Sequence, residues 1–199
     1  MRENIRMSNF TDSLEESLAT LASLRELEGG LLRAVERCAA SLGGGGKLLI
    51  CGNGGSAAEA MHLTGELVGR YKKERRPLAA ITLGTDPALV TCIGNDYSYE
   101  EIFSRQVRGL GRAGDVLIVF TTSGRSANVI RALQAAREMK IESIAFLGKD
   151  GGPALGLADH ALVVRHQDTA RIQEGHQFLM HSLMDMLEDL IATPVTENS

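Results

Sequence analysis

Five short apolar runs, each separated from the next by chain long enough for a helix, constrain this chain more than any other feature. The runs fall over 47–51, 78–83, 116–121, 143–147 and 161–164, and helices fit at 56–71, 99–110, 126–139 and 171–192. Near-continuous apolar strands alternating with amphipathic helices call for a parallel sheet covered on both faces, because each crossover lays a helix against it. The expected fold is therefore α/β, a doubly wound five-stranded parallel sheet flanked by helices. N-terminal helices precede the sheet, over about 8–42. Leu14, Leu18, Leu21 and Leu24 recur there at helical spacing, with Thr11, Asp12 and Ser13 as candidate N-caps, and a second helix fits about 30–42. The α/β core takes about 43–193, and the Gly43 to Gly46 run reads as a helix-to-strand turn, so 1–199 reads as one domain with 1–7 ahead of the first helix.

Composition removes several classes of function. A net charge of −4 argues against a general nucleic-acid binder, which is normally basic. No apolar run approaches the roughly 18 residues of a membrane span, and Met1-Arg2-Glu3-Asn4 lacks the apolar stretch of a signal peptide. A cytoplasmic protein with no membrane or nucleic-acid partner is expected. Cys38, Cys51 and Cys92 show no CxxC spacing and read as buried thiols in a reducing compartment.

In open parallel sheets, ligands gather at the carboxyl ends of the strands. Two loops there carry chemistry. In Cys51-Gly52-Asn53-Gly54-Gly55-Ser56 the glycines let the backbone approach a ligand, and the helix that follows offers unpaired N–H groups to an anion or a sugar oxygen. The loop lacks both the Walker lysine and the GxGxxG spacing, and by itself it is equally a tight turn. The second loop, Thr121-Thr122-Ser123-Gly124-Arg125-Ser126, sets four hydroxyls and a glycine at a helix N-terminus, a donor nest suited to phosphate. Ser126 alone would read as a plain N-cap. His62 and Glu66 stand four apart on one helix face, as an acid/base or metal pair or as a solvated ladder continued by Arg70. Gln173 and His181 lie two turns apart, about 12 Å of rise and roughly 80° around the axis, so convergence on one point is difficult. His181, amid Met180, Leu183 and Met184, also fits a core histidine. Asn95-Asp96 could meet sugar hydroxyls or simply form a turn, and Lys149-Asp150-Gly151-Gly152 reads as a loop at the same end of the sheet.

Taken jointly, CGNGGS…MHLTGELVGRY (51–71), GND (94–96), TTSGRSANV (121–129), GKDGG (148–152) and ARIQEGH (170–176) resemble the sugar isomerase (SIS) family, and within it the phosphoheptose isomerases. The resemblance implies an SIS-type sheet, a homotetramer with active sites at subunit interfaces, and conversion of D-sedoheptulose 7-phosphate to D-glycero-D-manno-heptose 7-phosphate in surface-glycan biosynthesis. It implies one zinc per subunit, with ligand positions on His62, Glu66, Gln173 and His181. Substrate contacts fall on Asn53, Gly54, Gly55, Ser56, Glu66, Asn95, Asp96, Thr121, Thr122, Ser123, Ser126 and Gln173. An enediol route needs a carbon base and an oxygen proton shuttle, for which Glu66 and His181 are the candidates. Ala170 stands where some relatives carry Asp. Two other readings remain at this stage: a non-catalytic SIS adaptor in replication initiation, disfavoured by the presence of Glu66 and His181, and an isomerase of another sugar phosphate.

Overall fold

The computed structural model describes residues 8–191, so 1–7 and the last residues of the expected core, 192–193, lie outside the described residues. Two helices lead: α1 (Ser8–Ser23) and, after a 3₁₀ turn, α2 (Glu28–Gly43). Alternation follows through β1 (Leu48–Gly52), α3 (Gly55–Val68), β2 (Ala80–Thr82), α4 (Pro87–Asp96) and α5 (Ser104–Leu110). The chain continues through β3 (Val116–Thr121), α6 (Ala127–Glu138), β4 (Glu142–Gly148), β5 (His160–Val164) and α7 (Thr169–Ile191).

The five strands are all parallel, in the order β2-β1-β3-β4-β5. Successive side chains of a strand point to opposite faces, and the apolar runs sort accordingly. Leu48, Ile50, Ile118, Phe120, Ile144 and Phe146 face α2, α3 and α7. Leu49, Cys51, Leu117, Val119, Ala145 and Leu147 face α4, α5 and α6. With both faces buried, the strands had to be apolar throughout. The strand order reverses between β1 and β3, and a reversal of this kind opens a crevice beyond the carboxyl ends of the two strands.

Several expectations need correction. Thr11, Asp12 and Ser13 do not cap α1 but lie inside it, because the chain is already helical at Ser8; the Arg171 guanidinium instead reaches the Ser13 carbonyl and hydroxyl and ties α1 to α7. The run 78–83 pairs only over Ala80–Thr82. The helix expected over 99–110 is a 3₁₀ turn at Tyr99–Glu101 followed by α5. Helix α4 was not anticipated, although Asp86-Pro87 is a start signal: the Asp86 carboxylate accepts from the N–H groups of Ala88 and Leu89, and Pro87 opens the helix. Cys92, expected to be buried, is exposed on α4. Cys38 and Cys51 are buried, and burial pushes the Cys38 thiol up to about 12, so both are inert.

Candidate active site

The two loops at the switch point meet. Gly54, at φ 57, turns the chain from β1 into α3 in a conformation that side chains resist. Just before it, Asn53 exchanges two hydrogen bonds with Asn128 of α6: its Nδ2 donates to Asn128 Oδ1 at 2.8 Å, and Asn128 Nδ2 returns one at 2.9 Å. Tyr99 Oη donates to Asn53 Oδ1 at 3.0 Å. Asn53 is thereby oriented by residues from two other elements.

After β3, Thr121 Oγ1 accepts from the Gly124 N–H and Ser123 Oγ from the Arg125 N–H, which curls the loop. Gly124 sits at φ 63, and a Cβ there would overlap the Gly151 carbonyl, so the loop after β4 backs this one directly. Arg125 and Asp150 reinforce the contact at 2.6 Å. The Gly152 N–H above all, with Arg125 adding, holds the Asp150 carboxyl below its ordinary range. Asn53, Ser56, Thr121, Thr122, Ser123 and Ser126, with Phe120, line a cavity of about 140 Å³. Ser126 occupies the N-cap position of α6, yet its hydroxyl makes no capping bond. The first-turn N–H groups of α6 are left without a side-chain acceptor, which is what an anion site at a helix start needs.

A second cluster lies farther along α3. His62 Nε2 meets Glu66 Oε1 at 3.0 Å, and the His181 ring lies 5.1 Å from that of His62, edge on. One ligand atom from each of His62, Glu66 and His181 falls within 4.8 Å of the other two. Two imidazoles and a carboxylate at that separation are a donor set suited to zinc. Burial chiefly, and then the neighbouring His62, lowers the His181 pKa, which favours the neutral imidazole that a ligand or proton acceptor must be.

Gln173 is not gathered with these three. Its amide lies so close to the start of α3 that a Cβ on Gly55 would overlap it. Gln177, one turn further on, stands between the histidines instead, with Nε2 3.0 Å from both His62 Nδ1 and His181 Nε2. Gln177 belongs to no motif legible in the sequence, although its i+4 relation to both Gln173 and His181 puts it on the same helix face. Asn128 lay within a quoted motif without a role, and Tyr99 carried no signal.

Asn95 and Asp96 join neither cluster. They end α4 exposed, with Asn95 Nδ2 donating to Asp96 Oδ1 at 2.8 Å. Asp96 lines a separate cavity of about 390 Å³ with Leu89, Cys92 and Arg105.

A doubly wound sheet with a hydroxyl-lined cavity at its switch point, and a His–Glu–His cluster farther along the helix that starts there, suits a protein that handles sugar phosphates. The SIS domain family model matches residues 9–148. Among relatives, the phosphoheptose isomerase of Paramagnetospirillum magneticum is 48% identical over 188 residues, covering 92% of this chain and 98% of its own. That of Geotalea daltonii is 51% identical over 164 residues, covering 82% and 85%. The solved phosphoheptose isomerase of Neisseria gonorrhoeae superposes with a TM-score of 0.87 at 42% identity, over 92% of this chain and 98% of that one. The chain belongs to the phosphoheptose isomerases, a family of enzymes within the SIS domain proteins.

Proposed function

We propose that this enzyme interconverts D-sedoheptulose 7-phosphate and D-glycero-D-manno-heptose 7-phosphate through an enediol, with Glu66 and His181 moving the protons. The carrying observation is the cluster itself: Glu66 on α3 faces His181 on α7, with His62 beside them. In the forward direction the Glu66 carboxylate takes the proton from C1 of the ketose. Neutral His181 takes the proton from O1 and hands it to O2, so the carbonyl moves from C2 to C1. Glu66 then returns its proton to C2, and both groups end as they began.

The phosphate belongs in the cavity of Ser56, Thr121, Thr122, Ser123 and Ser126, where hydroxyls and helix N–H groups converge. Asn53 lines the same cavity, and Gly54 and Gly55, which follow it into α3, would meet the sugar. His62, Glu66 and His181 would hold zinc; Gln173, which the family resemblance implies as a fourth ligand, lies at the start of α3 and not with them. Bound zinc supplies a Lewis acid that stabilises negative charge on a sugar oxygen. Asn95 and Asp96 contact substrate, on this reading, from a neighbouring copy of a homotetramer. Such a protein works in the cytoplasm, supplying heptose for surface glycans.

Turnover of sedoheptulose 7-phosphate, with and without added zinc and a chelator, tests this reading. Glu66→Gln and His181→Gln should each lower the rate about a hundredfold or more. Near-full turnover in Glu66→Gln would overturn the assignment of the base.

A further inference from the structure

The chain leaving α3 does not head directly for β2. It first reaches the His181 ring and the backbone of Glu66. The Tyr71 ring lies on the His181 imidazole, nearly parallel at 17° and 5.7 Å between centroids. The Lys72 and Lys73 N–H groups both donate to Glu188 Oε2, at 3.1 and 2.9 Å. Arg75 then turns inward. Its Nε donates to Glu188 Oε1 at 2.9 Å, its Nη2 to the Glu66 carbonyl at 2.6 Å and its Nη1 to the Leu67 carbonyl at 2.9 Å.

The Arg75 and Glu188 side chains are 2% and 1% exposed, which makes their burial costly. Replacing a buried ion pair by apolar groups is often neutral or stabilising, so the pair is weak evidence for stability. A plain helix stop would need only a glycine such as Gly69. Here the guanidinium takes the carbonyl of Glu66 itself, and its carboxylate partner comes from the helix that carries His181.

We propose that segment 71–75, anchored on Glu188, is a strap that positions both proton-transfer groups, Arg75 through the backbone of Glu66 and Tyr71 through the ring plane of His181. Neither is a catalytic residue, since neither is placed to touch the reacting atoms. The inference rests on the acid/base roles proposed above. A small displacement of a proton-transfer group is costly in rate, while the phosphate cavity at the other end of α3 is untouched. The loss therefore belongs in kcat and not in KM.

The test measures kcat and KM, at saturating zinc, for Tyr71→Leu, Tyr71→Phe, Arg75→Met and Arg75→Lys. Asp115→Asn serves as control, because Asp115 is a buried carboxylate of similar construction, paired with Lys47 at 2.6 Å and set just before β3, at the opposite end of that strand from the cavity. Tyr71→Leu and Arg75→Met should lose about tenfold or more in kcat with KM within about twofold. Tyr71→Phe keeps the stacked ring and should recover most of the rate, and Arg75→Lys should recover part. The ring proton resonances of His181 should move in Tyr71→Leu and stay in Tyr71→Phe. If Arg75→Met does not fold, Arg75→Lys and Tyr71→Leu still decide. Wild-type kcat in folded Tyr71→Leu and Arg75 variants, or losses no larger than in Asp115→Asn, overturns the strap. Glu66→Gln, assayed alongside, separates the two questions: activity there sinks the acid/base reading, whereas an inactive Glu66→Gln beside fully active strap variants sinks only the strap.

Discussion

Gly124 shows how much a single position contributes to this site. Its φ of 63 belongs to the left-handed region, and the Gly151 carbonyl occupies the space a Cβ would take. Alanine there incurs backbone strain of about 1–3 kcal/mol and must also push the loop after β4 away. Because that loop backs the phosphate cavity, Gly124→Ala should lower the urea midpoint and weaken inorganic phosphate binding together, as calorimetry would report. A stable variant with intact phosphate binding would show that the two loops move independently. Asn53 makes the complementary point. Its identity was visible in the sequence as a loop residue, but its orientation comes from Asn128, 75 positions away, and no local pattern encodes that contact.

Helices α3 and α7 carry the acid/base cluster, and their pairing marks what the sequence could and could not show. The parallel sheet, its five strands and the two loops at the switch point were legible, because continuous apolar runs and glycine-hydroxyl turns are local signals. The His62–Glu66 pair was legible as a spacing, and His181 as a candidate. That His181 meets them depends on α7 lying beside α3 across one face of the sheet, which is a tertiary fact. The mismatch anticipated between Gln173 and His181 persists within the protomer: Gln173 sits at the start of α3, while Gln177 fills the gap between the histidines. Glu188 gives the pairing a pH dependence. Burial pushes its carboxyl upward, but the N–H groups of Lys73 and Lys72 and the Arg75 guanidinium outweigh that, and the net displacement is downward. The unfolded chain therefore takes up this proton at a higher pH than the native protein does. The stability it contributes is complete above the ordinary glutamate range and is lost as pH falls through that range toward the native value. Urea midpoints followed downward from neutral pH should drop across this window, and Glu188→Gln should start lower and slope less. An unchanged slope would remove Glu188 as the source. His181, also displaced downward, adds the same sign in the separate histidine range.

At the scale of the whole molecule, the two clusters pose a question of reach. Ser56 borders the phosphate cavity and Glu66 the acid/base cluster, ten residues apart on the unbroken helix α3, about 15 Å along its axis. The surface of a single copy also leaves Phe10, Leu14 and Leu18 exposed in a row on α1, with Phe178 exposed on α7. Apolar rows of this kind suit burial against further copies. A homotetramer in which one copy's phosphate cavity faces another's acid/base cluster satisfies both observations, and it gives Asn95 and Asp96, which belong to neither cluster within a protomer, a route to substrate. Two variants defective in different halves, assayed at a substrate concentration where neither turns over alone, distinguish this arrangement from self-contained sites. Glu66→Gln keeps an intact phosphate cavity, and Gly124→Ala keeps an intact acid/base cluster. Co-expressed in equal amounts and purified as mixed oligomers, they should recover activity in about a quarter of the sites if each site draws on two copies. Self-contained sites would recover nothing, because every protomer would still carry one defect. Sedimentation of the same samples fixes the assembly, and Leu14→Glu with Leu18→Glu should dissociate it and abolish the recovery.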